Sequence, residues 1–180
     1  MVSKIMKYNF FHSNAKVQKR IIGYNNFTYG NLISLIASYI NSNSRILDLG
    51  CGVGTIDCFL SKLGKNIVGV DISNKAIDTA NKNKNRFAIE NITFICQDIE
   101  KYLVNGKFDL ILCSEVIEHI KNDKKLLINI KKSLNNNGVL LLTVPLNTAP
   151  LVRLGMTKKF DEKVGHLRRY QKDELVSMLK

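Results

Sequence analysis

Apolar positions along the chain fall into five short runs, separated by longer stretches in which they recur every three or four residues. The runs read RILDLG from Arg45, NIVGVD from Asn66, NITFICQD from Asn91, FDLILC from Phe108 and GVLLLTVP from Gly138. Each is too short for a helix and nearly continuous, as expected of strands covered on both faces. Between them the spacing predicts helices over Thr55 to Leu63, from a Ser73 cap to about Phe87, and over a lysine-rich stretch from Asp123 to Leu134. A further helical pattern, Leu32 to Ile40, precedes the first run, and QKDELVSML from Gln171 reads as a helix after the last. The Asn135-Asn136-Asn137-Gly138 stretch supplies the turn before the fifth strand. Strands alternating with helices predict an α/β fold, a parallel sheet flanked by helices. Ligands in such sheets bind beyond the carboxyl ends of the strands. The residues directly after each run are therefore the ones to inspect.

Composition narrows the class. At 180 residues with 45% apolar content, the chain is one globular domain with a sizeable core. No run approaches a membrane span, and the amino-terminal MVSKIMKYNFFHSN lacks the sustained apolar stretch of a signal peptide. The four cysteines, Cys51, Cys58, Cys96 and Cys113, form no C-x-x-C pair and read as small core residues of a reducing, cytoplasmic setting. The net charge of +12 is uneven, for no acid precedes Asp48. Residues 1–44 thus form a basic arm with Tyr8, Phe10, Phe11, Tyr24, Phe27 and Tyr29 interleaved. Such an arm is either an amphipathic flap over the domain of residues 45–180 or a contact for RNA phosphates and bases. His12 lies in this arm with no motif beside it.

Polar residues do collect after the runs. The first ends in D-L-G-C-G-V-G, placing Asp48, Gly50, Cys51, Gly52, Val53 and Gly54 at a tight strand-to-helix turn. There is no Gly-Lys-Ser/Thr, and Thr55 stands where a dinucleotide loop needs glycine, so neither phosphate-binding pattern is met. An acid at Asp48 suits a cationic ligand better than a pyrophosphate. Asp71 closes the second run, where a carboxylate takes the hydroxyls of a ribose. Asp98 closes the third, within reach of a base, and Ser114 follows the fourth, so that four polar elements after four successive strands outline a nucleoside-sized binding site that includes Ser114. Helix capping is the competing reading of Asp71 and Asp98.

The series DLGCGVG, GVDIS, CQDI, FDLILCSEVIEH and GVLLLTVP resembles the class I S-adenosylmethionine-dependent methyltransferases over about residues 45–146. That resemblance implies a Rossmann-like fold and an S-adenosylmethionine site. Asp48 and the Gly50–Gly54 loop would surround its methionine part, Asp71 with Ile72 the ribose, and Asp98 with Ile99 the adenine. A positively charged sulfur already activates the methyl group, so the protein mainly aligns an acceptor with it. A hydroxyl acceptor gains further from losing its proton to a base or to a metal. The expected activity is O-methylation of a small molecule, with RNA 2′-O-methylation and a non-catalytic, partner-completed cofactor module as alternatives.

SEVIEHI, from Ser114 to Ile120, carries the acceptor-side chemistry. A helix beginning near Ser114 would set Glu115, Glu118 and His119 on one face, with Val116, Ile117 and Ile120 turned to the core. Three readings stay open: acids favouring a helix amino terminus beside a structural histidine, His119 as general base, or a divalent-cation site. The E-x-x-E-H pattern resembles the ubiquinone-pathway O-methyltransferases and the small-RNA 2′-O-methyltransferases. The latter imply a magnesium ion on Glu115, Glu118 and His119, with His166 as a fourth ligand and a second catalytic candidate. The segment VGHLRRY, from Val164, resembles the insert over the acceptor pocket. Its Arg168, Arg169 and Tyr170 would hold an anionic or hydroxylated acceptor, or else pair with Asp161, Glu162 and Asp173. The family sheet has seven strands, whereas five are visible here. The fifth is then expected to offer an exposed edge to a second copy or a partner chain.

Overall fold

The structure, a computed structural model, describes residues 30–63, 65–102, 104–148, 152 and 155–180. The basic aromatic arm up to Tyr29, His12 included, lies outside the described residues. Helix α1 (Gly30–Tyr39) leads into β1 (Arg45–Leu49), α2 (Thr55–Ser61), β2 (Asn66–Asp71), α3 (Asn74–Arg86) and β3 (Ile92–Cys96). Then follow β4 (Phe108–Ser114), α4 (Asp123–Ser133), β5 (Leu134–Thr143), α5 (Lys158–Val164) and α6 (Lys172–Met178). All neighbouring strands are parallel, in the order β3-β2-β1-β4-β5. The chain leaves β1 towards β2 and β3, then returns to lay β4 on its other side. That reversal opens a crevice between the tips of β1 and β4, where such sheets take ligands.

Period-two alternation divides the core between the two faces. Leu47, Leu49, Ile111 and Cys113 point to the side covered by Leu126, Leu127 and Ile130 of α4 and by Tyr170. Ile46, Leu110 and Leu112 point to the other side, with Ile36 of α1, Leu60 of α2, and Ile77 and Ala80 of α3. Both sets are buried, which is why the sequence shows continuous runs rather than alternation. Ser73 caps α3 as expected, its Oγ accepting the Ala76 N–H at 3.2 Å.

Three elements differ from the pattern. β5 begins at Leu134, because Leu134 pairs with Phe108 and Val139 with Leu110, so the Asn135–Gly138 stretch is a bulge inside the strand. Asp109 ties this irregularity down, accepting Asn135 Nδ2 on one oxygen and the Arg45 N–H at 2.8 Å on the other. The short helix α5 lies where sequence periodicity gives no signal. No α-helix starts at Ser114; a single 3₁₀ turn, Ile117–His119, stands there. Among the described residues no helix is long and apolar enough to cross a membrane.

Candidate active site

The loop after β1 is held by its neighbours. Gly50 and Cys51 both donate their N–H to the Val70 carbonyl, at 2.7 and 3.0 Å. Gly50 and Gly54 have φ of 77° and 71°, a left-handed region that strongly favours glycine. Space forbids a side chain as well. A Cβ at Gly50 would meet Val116 Cγ2 at 2.3 Å, and one at Gly54 would meet Phe94 Cζ at 2.4 Å. The first contact is informative, because it places the segment after β4 directly against the cofactor loop.

Asp71 organises the rim. Its Oδ2 accepts the Gly52 N–H at 3.0 Å and its Oδ1 the Ser73 N–H at 2.8 Å. Capping of α3 falls to Ser73, so Asp71 is a loop anchor whose oxygens each keep a lone pair for a further donor. Asp98 accepts the Glu100 N–H at 3.0 Å and starts a turn, with Lys101 Nζ 3.9 Å away. The Ile99 side chain is packed into the core, and the Ile72 carbonyl lies 3.7 Å from Cys96 Sγ.

Beneath the loop lies a group that sequence reading passes over. Asp48 is 5% exposed and Asp57, in the first turn of α2, is fully buried. The two carboxyl groups face each other, and among the described residues no side-chain donor serves either Asp57 oxygen, which leaves its own backbone amide. Among the described residues neither acid forms an ion pair. Burial, first of all, pushes Asp57 up to about 7. Burial, then the charge of Asp57, raises Asp48 well above the carboxylate range. Uncompensated buried acids at the loop fit a positively charged ligand such as S-adenosylmethionine.

Across the crevice, the backbone of Glu115 is left-handed, with φ of 55°, a strained state for a residue with a side chain. Its N–H donates to the Thr143 carbonyl at 3.0 Å, and its Oε1 accepts the Thr143 hydroxyl at 3.1 Å. The Ser114 hydroxyl lies 2.8 Å from that same Thr143 hydroxyl. Pairing with β5 thus continues past Ser114, which is why the predicted helix does not start. As a result Glu115 parts from Glu118 and His119. Ile117 and Ile120 do turn to the core, but so does Glu118, which is fully buried.

Glu118, His119 and His166 converge, with one ligand atom from each lying within 4.8 Å of the others. Three of the four predicted metal ligands therefore meet, and Glu115 does not join them. His166 Nε2 is 3.8 Å from Glu118 Oε1, and the two imidazoles pack edge to face with centroids 4.9 Å apart. His119 Nδ1 lies 3.0 Å from the Gly165 carbonyl, which can only accept, so that nitrogen carries the proton. His166 Nδ1 lies 2.7 Å from Asp161 Oδ1 in the same way. An oxygen acceptor at Nδ1 thus fixes the orientation of each ring. Among the described residues no side chain donates a hydrogen bond to either oxygen of buried Glu118. Burial pushes Glu118 up to about 7, its own backbone amide works against that, Glu115 adds to the rise and Arg169 opposes it.

The segment carrying His166 is fixed by ion pairs. Arg169 grips Asp161 through Nε at 2.9 Å and Nη2 at 2.6 Å, and Arg168 pairs with Asp123 of α4. The hydrogen bonds from Arg169, first among several causes, hold Asp161 down at about 2. Tyr170 is 1% exposed and donates its hydroxyl to Asp123 Oδ2 at 2.9 Å. The Leu167 N–H reaches the Glu118 carbonyl at 2.9 Å. The two arginines are thus paired within the protein, with Asp123 in the place predicted for Glu162 or Asp173. No sequence signal marks Asp123, whose partners lie 45 residues away.

A family model described as a methyltransferase domain matches residues 40–180. The ubiquinone biosynthesis O-methyltransferase of Rickettsia canadensis (strain McKiel) is 32% identical over 117 residues, 62% of this chain and 48% of that protein. The protein of the same name from Rickettsia bellii (strain OSU 85-389) is 31% identical over 130 residues, 69% and 52% of the respective chains. The chain spans about half the length of these curated relatives. Among solved structures, phosphoethanolamine N-methyltransferase 2 of Haemonchus contortus superposes with a TM-score of 0.81 at 19% identity, covering 99% of this chain and 44% of that one. Magnesium protoporphyrin IX methyltransferase of Synechocystis, with S-adenosylhomocysteine bound, gives 0.69 at 20% identity, covering 99% and 76%. At such identities the likeness is one of fold.

Proposed function

Because the chain belongs to the class I S-adenosylmethionine-dependent methyltransferases, we propose that it moves the methyl group of S-adenosylmethionine to a hydroxyl oxygen of a small molecule. The observation that carries this reading is Glu118, a fully buried acid with no side-chain hydrogen-bond donor among the described residues, beside two imidazoles and one short segment from the cofactor loop. A buried polar group left unpaired is costly, so such a cluster makes sense where a ligand completes it. On this reading Asp71, Gly50 and Gly52 hold the donor, and the crevice between β1 and β4 brings it to the cluster. The acceptor hydroxyl would lie at Glu118, His119 and His166 and give up its proton there, to an imidazole Nε2 held by its partner at Nδ1. The O-methyltransferase names of the curated relatives favour oxygen over nitrogen as the acceptor atom.

The same donor set fits a divalent cation, which would acidify a bound hydroxyl. One carboxylate with two imidazoles suits manganese or zinc better than the magnesium that the motif implies. Asp161 and the Gly165 carbonyl would then orient the ligand rings.

The test is titration calorimetry with S-adenosylmethionine, followed by methyl transfer to a panel of hydroxylated small molecules and structured RNA, with and without a chelator. Glu118→Gln and His166→Ala should lower transfer about 10²- to 10⁴-fold while leaving donor affinity intact. Full activity in both variants would refute the assignment of the cluster, and transfer to RNA alone would refute the acceptor class. Elemental analysis of the purified protein decides between a bare imidazole base and a bound cation.

A further inference from the structure

Asp57 has no place in the function proposed above, yet it is the most awkward side chain in the fold. A charged carboxylate with no side-chain donor and no exposure is among the costliest groups a protein can bury. Its position explains why it persists. Asp48 sits on the central strand, between Gly69 of β2 and Leu112 of β4 in register, with its side chain on the α2 face. Asp57 comes down from the first turn of α2 to meet it, and the Gly50–Gly54 loop joins the two elements.

Among the described residues no cation pairs with either acid. Asp71 of β2 stands next to Asp48 and adds a third acid. The Cys51 thiol of the loop feels Asp57, Asp48 and Asp71 together. Cys58 of α2 lies on the same side, and Cys113 of β4 on the opposite face of the sheet; burial, first of all, raises both thiols. Lys62, directly after α2, acts on Cys58. From α3 comes the uncharged Asn83, donating to the Val53 carbonyl at 3.3 Å. Two adjacent acids in such a place cannot both ionise at ordinary pH, and a shared proton supplies the missing hydrogen bond between them.

We infer that Asp57, acting through Asp48, makes donor binding proton-linked: the empty protein keeps one proton between the two carboxyl groups, and a ligand bearing a positively charged sulfur on the glycine loop displaces it to solvent. The inference rests on the S-adenosylmethionine reading of that loop. S-adenosylmethionine arrives with one positive charge more than S-adenosylhomocysteine, so the ionised pair favours the donor over the spent product. Recapture of the proton then accompanies the loss of the sulfur's charge. Asp57 is in this sense a positioning residue for charge, which discriminates donor from product without touching either.

Titration calorimetry near pH 6.5 in buffers of differing ionisation enthalpy counts the protons released. The parent should release about one proton with S-adenosylmethionine and clearly less with S-adenosylhomocysteine. Its donor affinity should rise with pH, by up to about tenfold per pH unit, over the range in which the empty pair holds its proton. Asp57→Asn should release none and lose that pH dependence. Binding heats independent of buffer in the parent would overturn the inference without need of a variant. So would equal proton release with donor and product, or an Asp57→Asn protein that behaves like the parent. Failure of S-adenosylmethionine to bind at all would instead remove the cofactor reading, and the inference with it.

Discussion

Tyr170 is where removing a single atom should be felt across the acceptor side. Its ring is 1% exposed in the core on the α4 face, and its hydroxyl donates to Asp123 Oδ2 at 2.9 Å. The Ile117 carbonyl lies 3.4 Å from the same oxygen. Tyr170→Phe keeps the ring and its packing but deletes a hydrogen bond to an ionised acceptor, worth about 1.5–3 kcal/mol. For a domain of this size that corresponds to a fall in Tm of about 3–12 °C. The pH dependence follows from Asp123. Burial works to raise it, but the hydrogen bonds from Arg168 and Tyr170 prevail and hold it below its ordinary value. A depressed carboxyl adds stability that is present above its unfolded pKa and is lost as pH falls through the folded one. The parent should therefore exceed the variant by the full amount at pH 7, and the gap should narrow below about pH 4. Urea unfolding followed by circular dichroism at several pH values measures both. An unchanged midpoint at pH 7, or a gap that persists undiminished at pH 3, would refute the reasoning.

Gly54→Ala should cost about 2–4 kcal/mol in the same unfolding assay. It combines a left-handed alanine with a 2.4 Å approach to the Phe94 ring, and cofactor affinity should fall with it. Asp71→Ala frees the Gly52 and Ser73 N–H groups together and should weaken S-adenosylmethionine binding by at least about tenfold in calorimetry. Ser73→Ala removes the α3 cap at a cost of about 0.5–2 kcal/mol of stability but leaves the backbone N–H on Asp71, so donor affinity should stay as it was.

Much of the architecture is legible in the sequence because its signals are local. β1 to β4 stand where the continuous apolar runs put them, and the Ser73 cap is read from one residue. The Gly50–Gly54 turn and the strand-end position of Asp71 are equally visible, since backbone conformation and strand ends are encoded nearby. What escapes reading depends on partners distant in sequence. A helix from Ser114 is a sound local inference, but the bond from the Glu115 N–H to Thr143 on the neighbouring strand overrides it. The grouping of Glu118 with His119 and His166 is read from the motif's resemblance, but the full burial of Glu118 follows from the turn after β4. Asp57 reads as a favourable acid in a first helical turn, and only the packing of α2 on the sheet turns it inward. Asp161 is read from its neighbourhood as a partner of the arginines, whereas Asp123 gains its role only when Arg168 closes on it in the folded protein.

The order of parts along the chain has a consequence for how the protein comes into being and how it can diverge. Gly50, Gly52 and Asp71, which hold the donor, all come before β3, whereas His166 and its Asp161 partner arrive only after β5. During synthesis the donor's contacts are laid down first, β4 then closes the crevice, and the acceptor's groups emerge last. The late stretch can then be redrawn over generations, retargeting the same methyl group while the early half stays untouched.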